Sequence, residues 1–353
     1  MSGHVNNNKN SYKYKSSDGE DTLFTYNPVT GGVHGFMRYN RRSYLLENCG
    51  EEGHVIIEFK LNETFVEDED MDAWRVSNSN EPSNQDLEEN DTTTVVTFSV
   101  QIYFTSKFYQ STKDVPGFID NMITATNSAY ESSQVPMRIK VHCIQEVGIP
   151  DGLTAAWALK YLQRLKPTTN EIRNSADVAV LLVDSLKDRY CGKANLYSID
   201  SDDAEYGYAL SVVKKACVNK HTFSHEIGHN IGLFHDRRHR NLKYPFAQGS
   251  YIDKGNTNIG YRTIMAWAMT GHYRRVSHFS NPDVIFPKTG TATGQALADN
   301  AQLLTKQRFK LASMGDESMA CGKGIVEIEV RISCILKHLY LILIDNILQL
   351  ILV

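Results

Sequence analysis

Residues 221–236 read HTFSHEIGHNIGLFHD, and no other stretch of the chain restricts the fold as tightly. His225 and His229 are four residues apart, so on a helix both imidazoles leave the same face, one turn from each other. Two ring nitrogens placed this way suit one zinc ion at Zn–N distances of about 2.0–2.1 Å. Glu226, beside the first histidine, is placed to reach a water on that metal without binding the metal itself. Gly232 is the residue type that takes φ > 0 and ends a helix, and a turn there would swing His235 back as a third ligand. Three neutral imidazoles leave a fourth position open for water, as in catalytic rather than structural zinc. H-E-x-x-H alone arises often by chance. With Gly232, His235 and Asp236 at fixed offsets, and only 12 histidines in 353 residues, the odds of coincidence fall to roughly a few in a million.

The rest of the chain limits what can surround this segment. There are 37 Lys+Arg against 41 Asp+Glu, a net charge of −4, and no Lys/Arg block. That balance argues against nucleic acid or an anionic membrane as the main partner. At 353 residues and 41% hydrophobic content the chain can bury a sizeable core, as two domains or as one large domain with extensions. Six cysteines (Cys49, Cys143, Cys191, Cys217, Cys321 and Cys334) are too few for a disulfide-built scaffold but enough for one or two bridges.

From residue 22 to 65, short alternating segments separated by glycine pairs predict a small β-rich unit, with Val55-Ile56-Ile57-Glu58-Phe59 its clearest strand. Residues 66–93 are dominated by Glu, Asp, Asn and Ser and read as a solvated linker, the best boundary in the sequence. Beyond it, 95–104 reads as a strand, 116–132 as a helix, 137–147 as a strand, 153–165 as a helix and 177–183 as a buried strand. That alternation predicts an α/β layer with parallel strands. Two more strands are expected at 193–198 and 208–214, just before the histidine segment.

These residues resemble the metzincin zinc endopeptidases, and the aspartate after the third histidine, Asp236, resembles the mark of their reprolysin (adamalysin) branch. Tyr261-Arg262-Thr263-Ile264-Met265-Ala266-Trp267 is similar to the methionine-containing turn of that family, with Met265 falling 30 residues after His235. Upstream, Tyr190-Cys191-Gly192 and Ser211-Val212-Val213 followed by Cys217 look like the family's approach to the active-site helix. Downstream, Arg275-Val276-Ser277-His278-Phe279-Ser280-Asn281-Pro282 resembles secreted, peptidyl-aspartate-type members. The resemblance implies an α/β (α+β) catalytic domain. It would have a twisted mixed sheet, an active-site helix and a small C-terminal subdomain after the third histidine, preceded by a β-rich prosegment. The implied division is a prosegment and linker at 1–93, a zinc protease domain at 94–315 and an apolar tail at 316–353.

The implied chemistry is hydrolysis of internal peptide bonds in proteins or peptides. One catalytic zinc would be held by His225, His229 and His235, with Glu226 as general base and then acid. A calcium requirement is left open, as is the oligomeric state. Asp236 is expected to support the turn around Met265, and Met265 to form a packed floor rather than a ligand. Substrate is expected to lie extended along an edge strand at 192–198, beginning at Gly192, and the pocket wall to come from 270–279. Arg274 and Arg275 there would either favour an acidic substrate side chain or be solvated surface residues. Cys191 and Cys217 would pair in an exported enzyme or remain buried thiols. Cys49-Gly50 resembles a thiolate switch on zinc, although its flanks do not match. The competing function is a catalytically silent, metzincin-like binding protein or toxin, from which a catalytic histidine or the glutamate is usually missing; here all four are present.

Neither end resolves the destination of the chain. No apolar h-region precedes residue 17, so there is no signal peptide in this sequence, and the expectation is a secreted protein whose N-terminus is incomplete. The sequons at Asn62 and Asn90 either point the same way or arise by chance, as two can in a chain of this length. The last 20 residues, CILKHLYLILIDNILQLILV, are strongly apolar but interrupted by Lys337, His338, Asp345, Asn346 and Gln349, which leaves membrane association of the tail open.

Overall fold

The computed structural model describes residues 12–15, 22–27, 31–39, 42–48, 53–59, 93–165, 169–196, 209–236, 244–252, 260–267 and 273–316. Both sequons, Cys49, most of the acidic linker, positions 197–198 and the apolar tail lie outside the described residues.

The first unit is an antiparallel meander of β1 (Tyr12–Lys15), β2 (Leu23–Asn27), β3 (Gly32–Tyr39), β4 (Arg42–Asn48) and β5 (His54–Phe59), joined in that order. The main sheet begins at Val96. It contains β6 (Val96–Thr105), β7 (Met137–Val147), β8 (Val178–Val183), β9 (Gly192–Ala194) and β10 (Leu210–Lys214), in the order β7-β6-β8-β10-β9. Every neighbouring pair is parallel except β9 against β10. Parallel strands must be joined by crossovers, and helices supply them: α1 (Ser106–Ser111) and α2 (Val115–Ser132) between β6 and β7, then α3 (Ala155–Gln163) and α4 (Thr169–Arg173) between β7 and β8.

Helices on both faces explain why β8, Val-Ala-Val-Leu-Leu-Val, is apolar at every position and buried throughout. Its side chains alternate between two cores. Val178, Val180 and Leu182 join the core under α2, whereas Ala179, Leu181 and Val183 join the one under α3 and α4. The start of α2 is set locally: Asp114 is its N-cap, Oδ1 accepts from Gly117 N at 2.9 Å, and Pro116 occupies the first turn.

From β10 the chain passes through a 3-10 turn, Lys215–Lys220, into α5 (Thr222–Ile231), whose ten residues are all buried. Phe223, Ile227 and Ile231 of α5 lie in the same core as α2. A helix enclosed on every side holds its polar residues in one environment, and that is what positions the site. After it come β11 (Tyr251–Ile252), β12 (Gly260–Arg262) and β13 (Tyr273–Arg275) in one small sheet. The hairpin β14 (Ile285–Phe286) and β15 (Thr291–Ala292) and helix α6 (Asn300–Leu311) follow. The sequence patterns did not reveal α1, α4, α6 or these short strands. Leu303, Leu304 and Leu311 of α6 enter the core shared by α2 and α5, so this helix closes the main domain. No helix among the described residues is long and apolar enough to cross a membrane.

Candidate metal centre and active site

Helix α5 is flanked by His221 as N-cap and Gly232 as C-cap; the φ of 106° and ψ of 14° at Gly232 are open to glycine and costly for residues carrying a Cβ. The chain turns there, and Leu233 O comes back to accept from His229 Nδ1 at 2.8 Å. His225 Nδ1 likewise lies 2.8 Å from Ile264 O. A carbonyl can only accept, so in both rings the proton sits on Nδ1 and the lone pair on Nε2. Those Nε2 atoms face His235 Nε2: the three separations are 3.2 Å (His225–His235), 3.2 Å (His225–His229) and 3.0 Å (His229–His235).

His225, His229 and His235 are exposed by only 1%, 1% and 3%. They form the one group among the described residues with three converging metal-type ligands. Converging lone pairs repel unless a cation lies between them. Tetrahedral zinc with bonds of about 2.0–2.1 Å separates its ligand nitrogens by roughly 3.3 Å, so the triangle fits that ion.

Glu226 is fully buried one residue past His225. Its carboxylate lies over Gly192 of β9: a Cβ built on Gly192 would stand 2.5 Å from Glu226 Oε1 and 2.7 Å from Val212 O. β9 is the outer strand of the main sheet, paired to β10 with Gly192 opposite Val213 and Ala194 opposite Ser211. The Cys191–Cys217 disulfide ties the residue before β9 to the turn before α5. Cys143 on β7 is also disulfide-bonded.

Beneath the imidazoles runs the segment 263–267. Met265 is fully buried, with its sulfur against α5 where Gly228 carries no side chain; a Cβ on Gly228 would be 2.5 Å from Met265 Sδ. Trp267 meets His235 edge to face, with ring centroids 4.9 Å apart. Asp236 Oδ2 lies 2.7 Å from the Tyr251 hydroxyl, which is also 2.9 Å from Trp267 O, so β11 links the residue after the third histidine to the end of this segment. Arg274 and Arg275 are on β13. Arg274 is partly exposed, whereas Arg275 is 4% exposed with Nη2 3.4 Å from His225 Nδ1.

Two features escaped sequence reasoning. Tyr251 gave no signal, because its partners are 15 and 16 residues away in the chain. Asn230 gave none either: the burial that makes its amide need a partner is set by how α5 is enclosed, which the sequence does not show.

A mixed α/β domain whose most enclosed helix presents three converging imidazoles, a buried carboxylate and an edge strand defines a class suited to metal-assisted chemistry. Within that class, the sequence matches the reprolysin-type profile of metallo-peptidase family M12 over residues 92–280, more than half of the chain, and the protein belongs to that family. The peptidyl-Asp metalloendopeptidase of Stenotrophomonas maltophilia (strain K279a) is 31% identical over 147 residues, covering 41% of this chain and 33% of that one. Its counterpart in Xanthomonas campestris pv. campestris is 32% identical over 162 residues, covering 43% and 36%. The chain thus spans about a third of the length of the curated relatives it matches. Among solved structures, metalloproteinase-II from Bacteroides fragilis is similar at a TM-score of 0.41 and 11% identity, over 69% of this chain and 77% of that one.

Proposed function

We propose that this protein is a zinc-dependent endopeptidase that hydrolyses internal peptide bonds. The observation that supports it most directly is the triangle of buried Nε2 atoms, 3.0–3.2 Å apart, with the buried Glu226 carboxylate one residue away on the same helix. His225, His229 and His235 would hold one zinc, which when bound polarises a carbonyl and acidifies water. Glu226 takes a proton from the attacking water and returns it to the leaving nitrogen. Its burial keeps the carboxylate from being swung away by solvent, and the bare Cα of Gly192 leaves it room. The outer edge of β9, unpaired among the described residues, pairs with an extended peptide through backbone groups, which leaves selectivity to side-chain pockets. Met265 serves as packing under the imidazoles, and Asp236 holds Tyr251 and the 263–267 segment in place.

The curated relatives are named for peptidyl-Asp bonds. We extend that preference to this chain and assign the partly exposed Arg274 the role of attracting an acidic side chain; Arg275, buried against the His225 ring, is not open to substrate and packs behind that ligand instead. Export to an oxidising compartment fits the Cys191–Cys217 bridge, and the β1–β5 unit is assigned as a prosegment.

The purified protein is expected to bind about one zinc and to lose proteolysis with a chelator. Glu226→Gln should keep the zinc and lower kcat by roughly 10²–10⁴-fold. Undiminished turnover in that variant would sink the mechanism, and zinc-independent proteolysis would sink the whole reading. Cleavage profiling on a peptide library tests the acidic preference separately.

A further inference from the structure

The Asn230 side chain is not needed to bind a metal, yet it spends both amide hydrogens on the substrate-side edge of the sheet. Nδ2 donates to Asn195 O at 2.8 Å and to Leu210 O at 3.0 Å. With two carbonyls as neighbours, only this orientation of the amide is bonded. Asn195 directly follows β9, and its own N–H donates to Leu210 O at 3.0 Å. From the opposite face of the sheet, Gln163 at the end of α3 donates Nε2 to Asn195 Oδ1 at 3.2 Å.

Asn195 is therefore held from both sides, by α5 through its carbonyl and by α3 through its side chain. At the other end of β9, Gly192 sits under the Glu226 carboxylate, one helical turn before Asn230. A three-residue edge strand has few ladder bonds of its own with which to resist displacement.

We propose that Gln163, Asn195 and Asn230 form a positioning clamp that fixes edge strand β9 relative to α5, so that an extended substrate is presented to Glu226 and the three histidines in one register. This rests on the reading of the protein as an endopeptidase that binds substrate along β9. Asn230 acts through the strand and does not touch the reacting atoms, so its removal is expected to weaken substrate binding rather than the chemical step.

The test uses the full chain loaded with zinc. Asn230→Leu keeps the side-chain shape and removes both donors, so the partly buried Asn195 carbonyl loses its hold on α5 while Leu210 O keeps the Asn195 N–H. The expected result is a KM for a peptide substrate raised roughly tenfold with kcat within about twofold. Zinc content should be unchanged, and the backbone amides of residues 192–195 should exchange with deuterium about tenfold faster. Gln163→Ala, on the far face of the sheet from α5, should move KM and exchange in the same direction by less, and adding it to Asn230→Leu should have no further effect.

A fall in kcat at constant KM, loss of zinc, or unchanged exchange at 192–195 would overturn the clamp. If Asn230→Leu does not fold, Gln163→Ala decides by the same two readouts. If the wild-type protein cleaves no peptide, the endopeptidase reading falls on its own. The exchange rates then judge the clamp alone: faster exchange supports it and unchanged exchange refutes it.

Discussion

Gly228 and Met265 show how one residue's rule can be reversed by its neighbour. Alanine favours a helix over glycine by about 1 kcal/mol, so on a solvent-facing helix Gly228→Ala would stabilise. In α5 the added methyl would lie 2.5 Å from Met265 Sδ and 3.3 Å from Leu233 Cδ1. Overpacking of that kind costs about 1–3 kcal/mol, enough to outweigh the helical gain. Gly228→Ala is therefore expected to lower stability. Met265→Ala, which empties a fully buried site, should lower it by about 2–5 kcal/mol. The double variant should lose less than the sum, with a coupling of roughly 0.5–3 kcal/mol in urea unfolding of the zinc-loaded protein. Strict additivity would show that the sulfur does not rest on this glycine. Gly192 follows the same logic with a functional consequence, since the atom it makes room for is a Glu226 oxygen.

At the scale of elements, the β1–β5 sheet docks on α2 through polar contacts. His34 Nε2 is 2.6 Å from Asp114 Oδ2, Asn48 Nδ2 donates to the same oxygen at 3.3 Å, and Asn121 Nδ2 donates to His34 O at 3.3 Å. A cavity remains at this junction, lined in part by Leu23, Phe36, Leu46, Phe118 and Met122. Burial pushes the Asp114 carboxyl up, but its hydrogen bonds with His34 and with Gly117 N outweigh that, and its pKa is held below the ordinary carboxylate value. A carboxyl depressed in the folded state contributes stability above its unfolded pKa and loses that contribution as pH falls through the folded one. Amide protection in β2 and β3 is thus expected to drop on acidification below about pH 4, while β8 stays protected, and Asp114→Asn should flatten the response. Protection in β2 and β3 that tracks β8 at every pH would contradict this.

At the scale of the whole molecule, the Cys191–Cys217 bridge joins positions separated by 26 residues. Closing a loop of that length stabilises by about 3–4 kcal/mol through the unfolded chain. Replacing both cysteines with serine should lower the melting temperature by roughly 5–10 °C, read by circular dichroism with zinc present; an unchanged melt would mean the bridge carries no stability. What the sequence alone determined is whatever depends on near neighbours along the chain. The four-residue spacing of His225 and His229, the helix stop at Gly232, the apolar run of β8 and the alternation of strands and helices from 95 to 183 are all local, because helical and strand periods act over a few residues. The tertiary structure decided the rest. Which strand lies beside Glu226, that Arg275 is buried against His225, that Asn230 grips Asn195 and that His34 meets Asp114 are contacts between residues 34 to 80 apart. No local period encodes such pairs. They follow from the order in which parallel strands assemble and from the requirement that every polar group buried by that assembly finds a partner.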